Sequence, residues 1–220
     1  MAGFGNARET WDRRYAAADG FLFGEAPNAW LAASAAFLEP GMRVLSLADG
    51  EGRNGVWLAG LGCRVSAFDV SPVGIERARR HAAARGVDLD LQVADIAHWK
   101  WEPECFDAVA AIFIQFAPPD LRARIFAGIA QTLVPGGLLI LEGYGPRQLV
   151  YRTGGPGVAE NLYTMPMLLQ AFEGWPILAS RDADRQVSEG AGHRGMSHLV
   201  SLLARKPGRV SPPGTPPRAA

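Results

Sequence analysis

Residues 43–55, RVLSLADGEGRNG, decide how this chain is read. An apolar run gives way to a glycine-rich turn, and the turn opens a helix. Val44, Leu45, Leu47 and Ala48 have the apolar, weakly alternating pattern of a buried parallel strand. Gly50 and Gly52 allow a sharp turn and a close backbone approach. From Arg53 the period becomes helical, with Val56, Trp57, Leu58 and Leu61 on one side and Gly60 or Gly62 as a stop. Residues 64–69, RVSAFD, read as a second strand ending in an acid. From Gly50 to Asp69 is the spacing of about 20 residues expected of a nucleoside-binding βαβ unit. The unit reads as a cradle for an adenosyl cofactor.

Gly50, Gly52 and Gly55 spell the dinucleotide pattern G-x-G-x-x-G. A dinucleotide would bring a diphosphate to the helix N-terminus, where free N–H groups favour anions. This turn instead carries Asp49 and Glu51, which repel a diphosphate. S-adenosylmethionine has no phosphate and carries a sulfonium and an ammonium. The acids therefore favour that nucleoside. NAD stays open as an alternative, as does a bland role for either acid, solvated or, for Asp49, as a helix cap.

The chain has 220 residues, 48% hydrophobic and 20% charged, with zero formal net charge. That suits one α/β domain with a full core. There is no basic stripe with interleaved aromatics, so no nucleic-acid partner is expected. Two cysteines, Cys63 and Cys105, make neither a disulfide framework nor a four-ligand metal site. No apolar run approaches the roughly 18 residues of a membrane span. A cytoplasmic protein without membrane partners is the expectation.

Ahead of the first strand, Trp11, Tyr15, Phe21, Phe23 and Trp30 make an aromatic segment. Thr10 is a candidate cap for a short helix carrying Trp11, Arg14 and Tyr15, and residues 28–38 read as a helix with Trp30, Leu31, Ser34, Phe37 and Leu38 on its apolar side. Trp30 and Phe37 are expected to pack on the sheet. Trp11, Tyr15, Phe21 and Phe23 suit either packing or a lid. Ser71 and Pro72 start a third helix, whose His81 reads as a surface residue. Residues 88–94 alternate as a third strand. Asp95 then falls at the carboxyl edge of the sheet, placed either to accept from an adenine amino group or to cap the turn before Trp99.

Residues 106–113, FDAVAAIF, are a central fourth strand, and its end at Ile114, Gln115 and Phe116 should line the reaction cavity. A helix from Pro118–Pro119 ends at Pro135-Gly136-Gly137, and residues 138–144 form a fifth strand. A long Gly- and Pro-rich connection, residues 145–161, follows. Thr164 caps a further helix. Residues 175–183 and 196–205 read as two antiparallel strands around a polar loop, 184–195, that holds His193 and Arg194. The prolines beyond Lys206 suggest a disordered tail.

Five parallel strands with helices, followed by a helix and an antiparallel hairpin, resemble the class I S-adenosylmethionine-dependent methyltransferase fold. The motifs that carry the resemblance are VLSLADGEGRNG, AFDVS, VADI, FDAVAAIF and LVPGGLLILEGY. WDRRY, FGEAPNAWL, EGRN, the stretch from Gly154 to Thr164 and GHRG…LLARKP are similar to the tellurite-resistance and thiopurine-type branch. The resemblance implies a three-layer α/β, Rossmann-like, seven-stranded sheet in order 3-2-1-4-5-7-6 with an antiparallel last strand. The resemblance covers about residues 10–206, and the chain divides into an N-terminal helical lid segment over residues 1–38, a methyltransferase domain over 39–206 and a Pro-rich disordered tail over 207–220. The resemblance also implies a cofactor site. Asp69 holds the ribose, Asp95 and Ile96 the adenine, and the turn through Ser46, Asp49, Gly50, Glu51 and Gly52 the methionyl end, with Val70 and Ile112 beside them and Tyr15 closing above. Family members usually read LDLGCGEG. Here Ser46 replaces an acid, and Ala48 and Asp49 replace glycine and cysteine.

The acceptor belongs beyond the methyl group, near Gln115, Tyr144 and the long loop. His193 is a candidate proton acceptor and Arg194 a candidate partner for an anionic group. The branch suggests a small acceptor, a thiol or an oxyanion of tellurium or selenium, and a monomer or homodimer. No metal spacing and no nucleophile elbow is seen. The rival readings are an NAD-dependent oxidoreductase and a non-catalytic adenosyl-binding protein of the same fold.

Overall fold

Four consecutive buried residues, Val44 to Leu47, place the first strand in the middle of a sheet. The computed structural model describes residues 7–209. Residues 1–6 of the expected lid and 210–220 of the expected tail lie outside the described residues. The strands are β1 (Arg43–Leu47), β2 (Arg64–Asp69), β3 (Asp90–Val93), β4 (Phe106–Ile112), β5 (Leu133–Tyr144), β6 (Ile177–Glu189) and β7 (His193–Arg205). They form one sheet in the order β3-β2-β1-β4-β5-β7-β6, the order implied by the resemblance. β1 to β5 pair in parallel, and β7 runs antiparallel to both β5 and β6.

The helices are α1 (Ala7–Ala17), α2 (Ala29–Ala33), α3 (Arg53–Gly60), α4 (Pro72–Arg85), α5 (Pro119–Thr132), α6 (Gln148–Tyr151) and α7 (Met165–Ala171). One hydrophobic cluster joins Leu45, Leu47 and Val109 of the sheet to Ile125 and Ile129 of α5 and Leu168 of α7. A second joins Val44, Val65 and Ile140 to Leu31 of α2 and Leu58 of α3. The sheet thus has a core on each face, as a mostly parallel sheet requires. Among the described residues no helix is long and apolar enough to cross a membrane.

Several local expectations are corrected. α1 begins at Ala7, so Thr10 lies inside the helix rather than capping it. The segment 28–38 is one short α-helix, capped by Asn28, followed by a 3-10 turn over Ala35–Phe37. That change of winding turns Phe37 outward, 37% exposed, while Trp30 stays buried. β5 starts directly after α5, and Pro135-Gly136-Gly137 forms a shift of register inside the strand instead of a helix terminator. β6 and β7 continue pairing up to Glu189 and His193, so the expected polar loop is mostly strand. β6 is an edge strand with one wet face, and polar residues there satisfy the ladder without burial.

One acid sits in the sheet core. Glu142 of β5 is 1% exposed. Its carboxylate accepts from Asn28 Nδ2 at 2.7 Å, Ser201 Oγ at 2.6 Å and Arg181 Nη2 at 2.5 Å. Asn28 is wholly buried, and its own Oδ1 accepts from the amides of Trp30 and Leu31. The acid therefore ties the start of α2 to β6 and β7. Removing one partner of such a buried set leaves the others unpaired. Glu142→Ala is expected to lower the urea-unfolding free energy by about 3 kcal/mol.

Ala48 follows β1 with φ +47°, a left-handed conformation that costs a residue with a β-carbon about 1–2 kcal/mol. Ala48→Gly is expected to raise the unfolding free energy by about 1 kcal/mol. An unchanged or lowered midpoint would show that the turn is not strained there.

Candidate active site

The carboxyl ends of β1, β2 and β4, with the residues after β3, open onto one cleft of about 1000 Å³, its open mouth included. Its walls include Asp49, Gly50 and Glu51 from the first turn, Asp69 and Val70 after β2, Asp95 and Ile96 after β3, and Ile112 at the end of β4. Tyr15 and Trp11 of α1, with Phe23 of the connection to α2, cover it. Ser46 and Gly52 are not among the lining residues.

The turn is set by backbone geometry. Gly50 and Gly52 have φ +60° and +84°. A β-carbon at Gly50 would lie 2.5 Å from the Tyr15 hydroxyl, so the close approach of the lid requires glycine. Gly52 is the N-cap residue of α3 but has no side chain to cap with. Asp49 takes over that duty: its carboxylate accepts from the Gly55 amide at 3.1 Å. It also accepts from Ser46 Oγ at 2.6 Å. Burial pushes the Asp49 pKa up to about 7, against these two hydrogen bonds.

Asp69 is held in the same way. Its two oxygens accept from the amides of Gly50 at 3.0 Å and Ser71 at 2.8 Å. Burial raises its pKa to about 6. Each carboxylate oxygen has a further lone pair, so Asp69 keeps acceptor capacity toward the cleft. Neither Asp49 nor Asp69 forms an ion pair within 4 Å among the described residues.

Glu51 is different. It meets Arg77 Nε at 2.6 Å and accepts from the Leu22 amide at 2.8 Å. Arg77 also donates to the carbonyls of Tyr15 and Gly20. The Glu51 carboxylate is thus spent on fastening the N-terminal segment to α4 rather than open to a ligand. The Asp95 side chain caps the following 3-10 turn, accepting from the Ala97 amide at 2.9 Å, while the residue still lines the cleft. His81 is corrected from surface to buried, because Phe21 folds down against its ring at 4.7 Å.

A second chamber, about 780 Å³ with its mouth, shares Trp11, Phe23, Phe113, Phe116 and His193 with the first. Tyr144, Gln115 and Arg14 line it too, with Gly154 and Gly155 of the long connection. His193 is 7% exposed and lies among Phe23 at 4.4 Å, Phe113 at 4.5 Å and Tyr144 at 5.7 Å between ring centroids. Its Nδ1 is 3.8 Å from Glu189. Burial lowers the His193 pKa, so the ring is neutral at pH 7. Burial acts to raise the Glu189 pKa, but His193 and Arg53 outweigh it and hold that carboxyl at about 2. Arg53 meets Glu189 at 2.8 Å and donates to the Phe23 carbonyl at 3.2 Å.

Of the expected acceptor-side residues, Gln115 keeps its place on the wall and Arg194 is corrected. Arg194 points away: it is exposed, pairs with Ser188 in the β6–β7 ladder and lines neither chamber. One step along a strand reverses the face, so His193 and Arg194 cannot both look inward. Gln115 lines the chamber, but both ends of its amide are bound to the Tyr144 backbone, at 2.6 and 2.5 Å. It holds the end of β5 in place. Local sequence signals do not reveal Arg53 and Asn54, which line the cleft, or Glu189, which pairs with Arg53. EGRN was noted as a motif, but nothing local shows that Arg53 meets a residue 136 positions later. Among the described residues no group of acids, histidines and cysteines is placed to hold a metal ion.

Residues 44–137 match the family model described as a methyltransferase domain. A ubiquinone biosynthesis O-methyltransferase of Methylocella silvestris is 38% identical over 100 residues, covering 45% of this chain and 38% of that protein. This chain therefore spans less than half the length of that relative. A structure described as "Conversion of a Disulfide Bond into a Thioacetal Group during Echinomycin Biosynthesis" superposes with a TM-score of 0.72 at 24% identity, covering 93% of this chain and 94% of that one. TehB from Haemophilus influenzae superposes with a TM-score of 0.68 at 16% identity, covering 90% and 66%. These structures share the fold, that of the class I methyltransferases.

The two raised carboxyl pKa values have a consequence for stability. An unfolded aspartate loses its proton near pH 4, while folded Asp49 keeps its proton up to about 7. The ligand-free protein therefore loses stability at this group as pH rises from about 4 to about 7. Asp49→Asn should gain on the wild type by roughly 2–3 kcal/mol between pH 5 and pH 8 in urea unfolding without ligand. A pH-independent difference would show that Asp49 is ionised throughout.

Proposed function

We propose that this protein is an S-adenosylmethionine-dependent methyltransferase acting on a small-molecule acceptor. The observation that carries the proposal is the pair of buried carboxylates, Asp49 and Asp69, in a cleft where the nearby guanidiniums of Arg53 and Arg77 are already paired with Glu189 and Glu51. Such a cleft favours a cationic nucleoside. It opposes NAD for a second reason. The Gly55 amide, which would otherwise face a phosphate at the start of α3, is occupied by Asp49 of the same chain. The match of residues 44–137 to the methyltransferase domain supports the same reading.

S-adenosylmethionine supplies, when bound, a methyl group on a positively charged sulfur that leaves as a neutral thioether. The protein's part is alignment and exclusion of water. Asp69 holds the ribose hydroxyls with its remaining lone pairs. Asp95 and Ile96 flank the adenine, Val70 and Ile112 pack beside it, and the turn from Asp49 to Gly50 faces the methionyl end. Tyr15 and Trp11, stacked at 5.5 Å, close over the top.

The acceptor lies in the second chamber. Glu189 and Arg53 stand on the Nδ1 side of His193, which leaves Nε2 to take a proton from the acceptor as its new bond to methyl forms. Tyr144 Oη is buried without a hydrogen-bond partner and offers a donor there. An aromatic-walled chamber with one neutral base favours a small acceptor bearing an ionisable proton, such as a thiol. An oxyanion of tellurium or selenium finds a single guanidinium, Arg14, at the wall. The tellurite-resistance-like branch thus rests on the sequence motifs. A non-catalytic adenosyl-binding role leaves the buried His193 and Tyr144 without purpose.

Calorimetry with S-adenosylmethionine and NAD tests the assignment. Binding of S-adenosylmethionine, lost in Asp69→Ala, is expected. Binding of NAD alone would overturn it. In an acceptor screen that reads S-adenosylhomocysteine release, His193→Ala should lower kcat about 10²-fold or more, well beyond any loss in cofactor affinity.

A further inference from the structure

We infer that His198 is a positioning residue and a pH-sensitive latch for the glycine wall of the second chamber. Its neutral ring holds the turn after β5 closed, and protonation of the ring releases that turn together with the wall it carries. The inference goes beyond the methyltransferase reading and does not need it.

His198 lies on β7 with its side chain buried, and both ring nitrogens are engaged. Nδ1 is 3.1 Å from the Arg147 amide. A main-chain amide only donates, so Nδ1 is an acceptor and carries no proton. Nε2 is 2.7 Å from Asp182 Oδ1, and the carboxylate accepts, so the ring proton sits on Nε2. The neutral ring in this tautomer satisfies both partners. An imidazolium adds a proton to Nδ1 and sets it against the Arg147 N–H. Two donors cannot share a contact of 3.1 Å, so the charged ring requires the amide to turn away. The Gly145 backbone lies against the ring, where a β-carbon would overlap it, and this leaves the ring little room to move aside.

The turn is tied to the chamber through Gln148, the first residue of α6, which is buried. Its Oε1 accepts from the His198 amide at 3.1 Å. Its Nε2 donates to Thr153 Oγ1 at 2.9 Å and to the Gly154 carbonyl at 3.1 Å. Gly154 and Gly155 wall the second chamber, and a β-carbon at Gly155 would overlap the Tyr144 ring. Displacing the Arg147 amide moves the residue next to Gln148, and so loosens the hold on Gly154.

The charged and titratable groups around the ring are Asp182 and Asp184 of β6, Arg147 of the turn and Tyr151 of α6. Asp182 favours the charged ring. Arg147, whose Nη2 is 3.9 Å from Asp182, opposes it. Asp184 is already bound by Arg147 Nε at 2.9 Å and by Tyr151, whose pKa that bond raises. The switch is thus a contest between one carboxylate that attracts the second proton and one main-chain amide that leaves it no room.

The test is hydrogen exchange on the full, ligand-free chain across pH 5 to 8, the range in which imidazole changes charge. From pH 8 to pH 5 the protection factors of amides from Arg147 to Gly155 should fall about tenfold or more, while those of β4 hold, which marks a local opening. NMR of the chain with nitrogen-15 histidine should show the Nε2–H tautomer of His198 at pH 8. His198→Asn places an acceptor that does not titrate near the site of Nδ1, and should keep the high protection down to pH 5. Asp182→Asn removes the charge that favours the imidazolium, and should move the fall to lower pH. Unchanged protection in the wild type, a fall that persists in His198→Asn or the Nδ1–H tautomer would each overturn the inference. Should His198→Asn fail to fold, the tautomer and the Asp182→Asn shift decide, and a fall left unmoved in that variant would overturn it. No ligand enters the experiment, so failure of the methyltransferase reading would leave its outcome intact.

Discussion

A carboxylate turned back onto its own helix is the constraint on which this site depends. Gly52 must be left-handed to bring the chain from β1 into α3, and it brings no side chain to satisfy the first amides of the helix. Asp49 supplies the acceptor from three residues earlier. The same bond sets a buried carboxyl group beside the cleft and fills the place where a phosphate would sit. Local helix capping and ligand preference are one interaction here. Asp69 repeats the arrangement, bound by the Gly50 amide of the same turn, so the two acids and the glycines between them form a single unit.

A second unit joins the parts of the chain that are distant in sequence. Asn28 donates to Glu142 and Glu189, Arg53 bridges Glu189 and the Phe23 carbonyl, and Arg181 completes Glu142. The turn between β6 and β7 presses against the lid, where the Gly192 amide donates to the Leu22 carbonyl at 2.9 Å. A β-carbon at Gly190 would meet the Gly24 backbone at 2.4 Å, so the contact needs glycine on the hairpin side. These bonds bring Phe23 and His193 together over the boundary between the two chambers. They explain why the aromatic segment ahead of β1 acts as a cover rather than as an added layer.

How much of this was legible in the sequence varies with the range of the interaction. The βαβ unit from Arg43 to Asp69 could be read closely, because its apolar runs and glycines are local signals, although Ala48, read as strand, leaves β1 in a left-handed turn. The length of the hairpin's strands could not. Residues 184–195 are polar, and polarity reads as a loop, whereas an edge strand carries polar residues on its wet face at no cost. The inward set of His193 and outward set of Arg194 follow from register, which needs the partner strand. His81 could not be read as buried without knowing that Phe21 lies over it.

By itself the sequence determined the strands of the sheet's parallel half, the position of the turn and the acids that the turn carries, since each of these is a local signal. Only the tertiary structure decided which acids remain free. Asp49, Glu51, Asp95 and Glu142 are alike as carboxylates in a list of residues. A helix amide takes part of one, an arginine from α4 neutralises the next, a 3-10 turn engages the third, and the sheet core encloses the last. The fate of a charge is set by what is brought within hydrogen-bond distance of it, and that is a property of the packed chain.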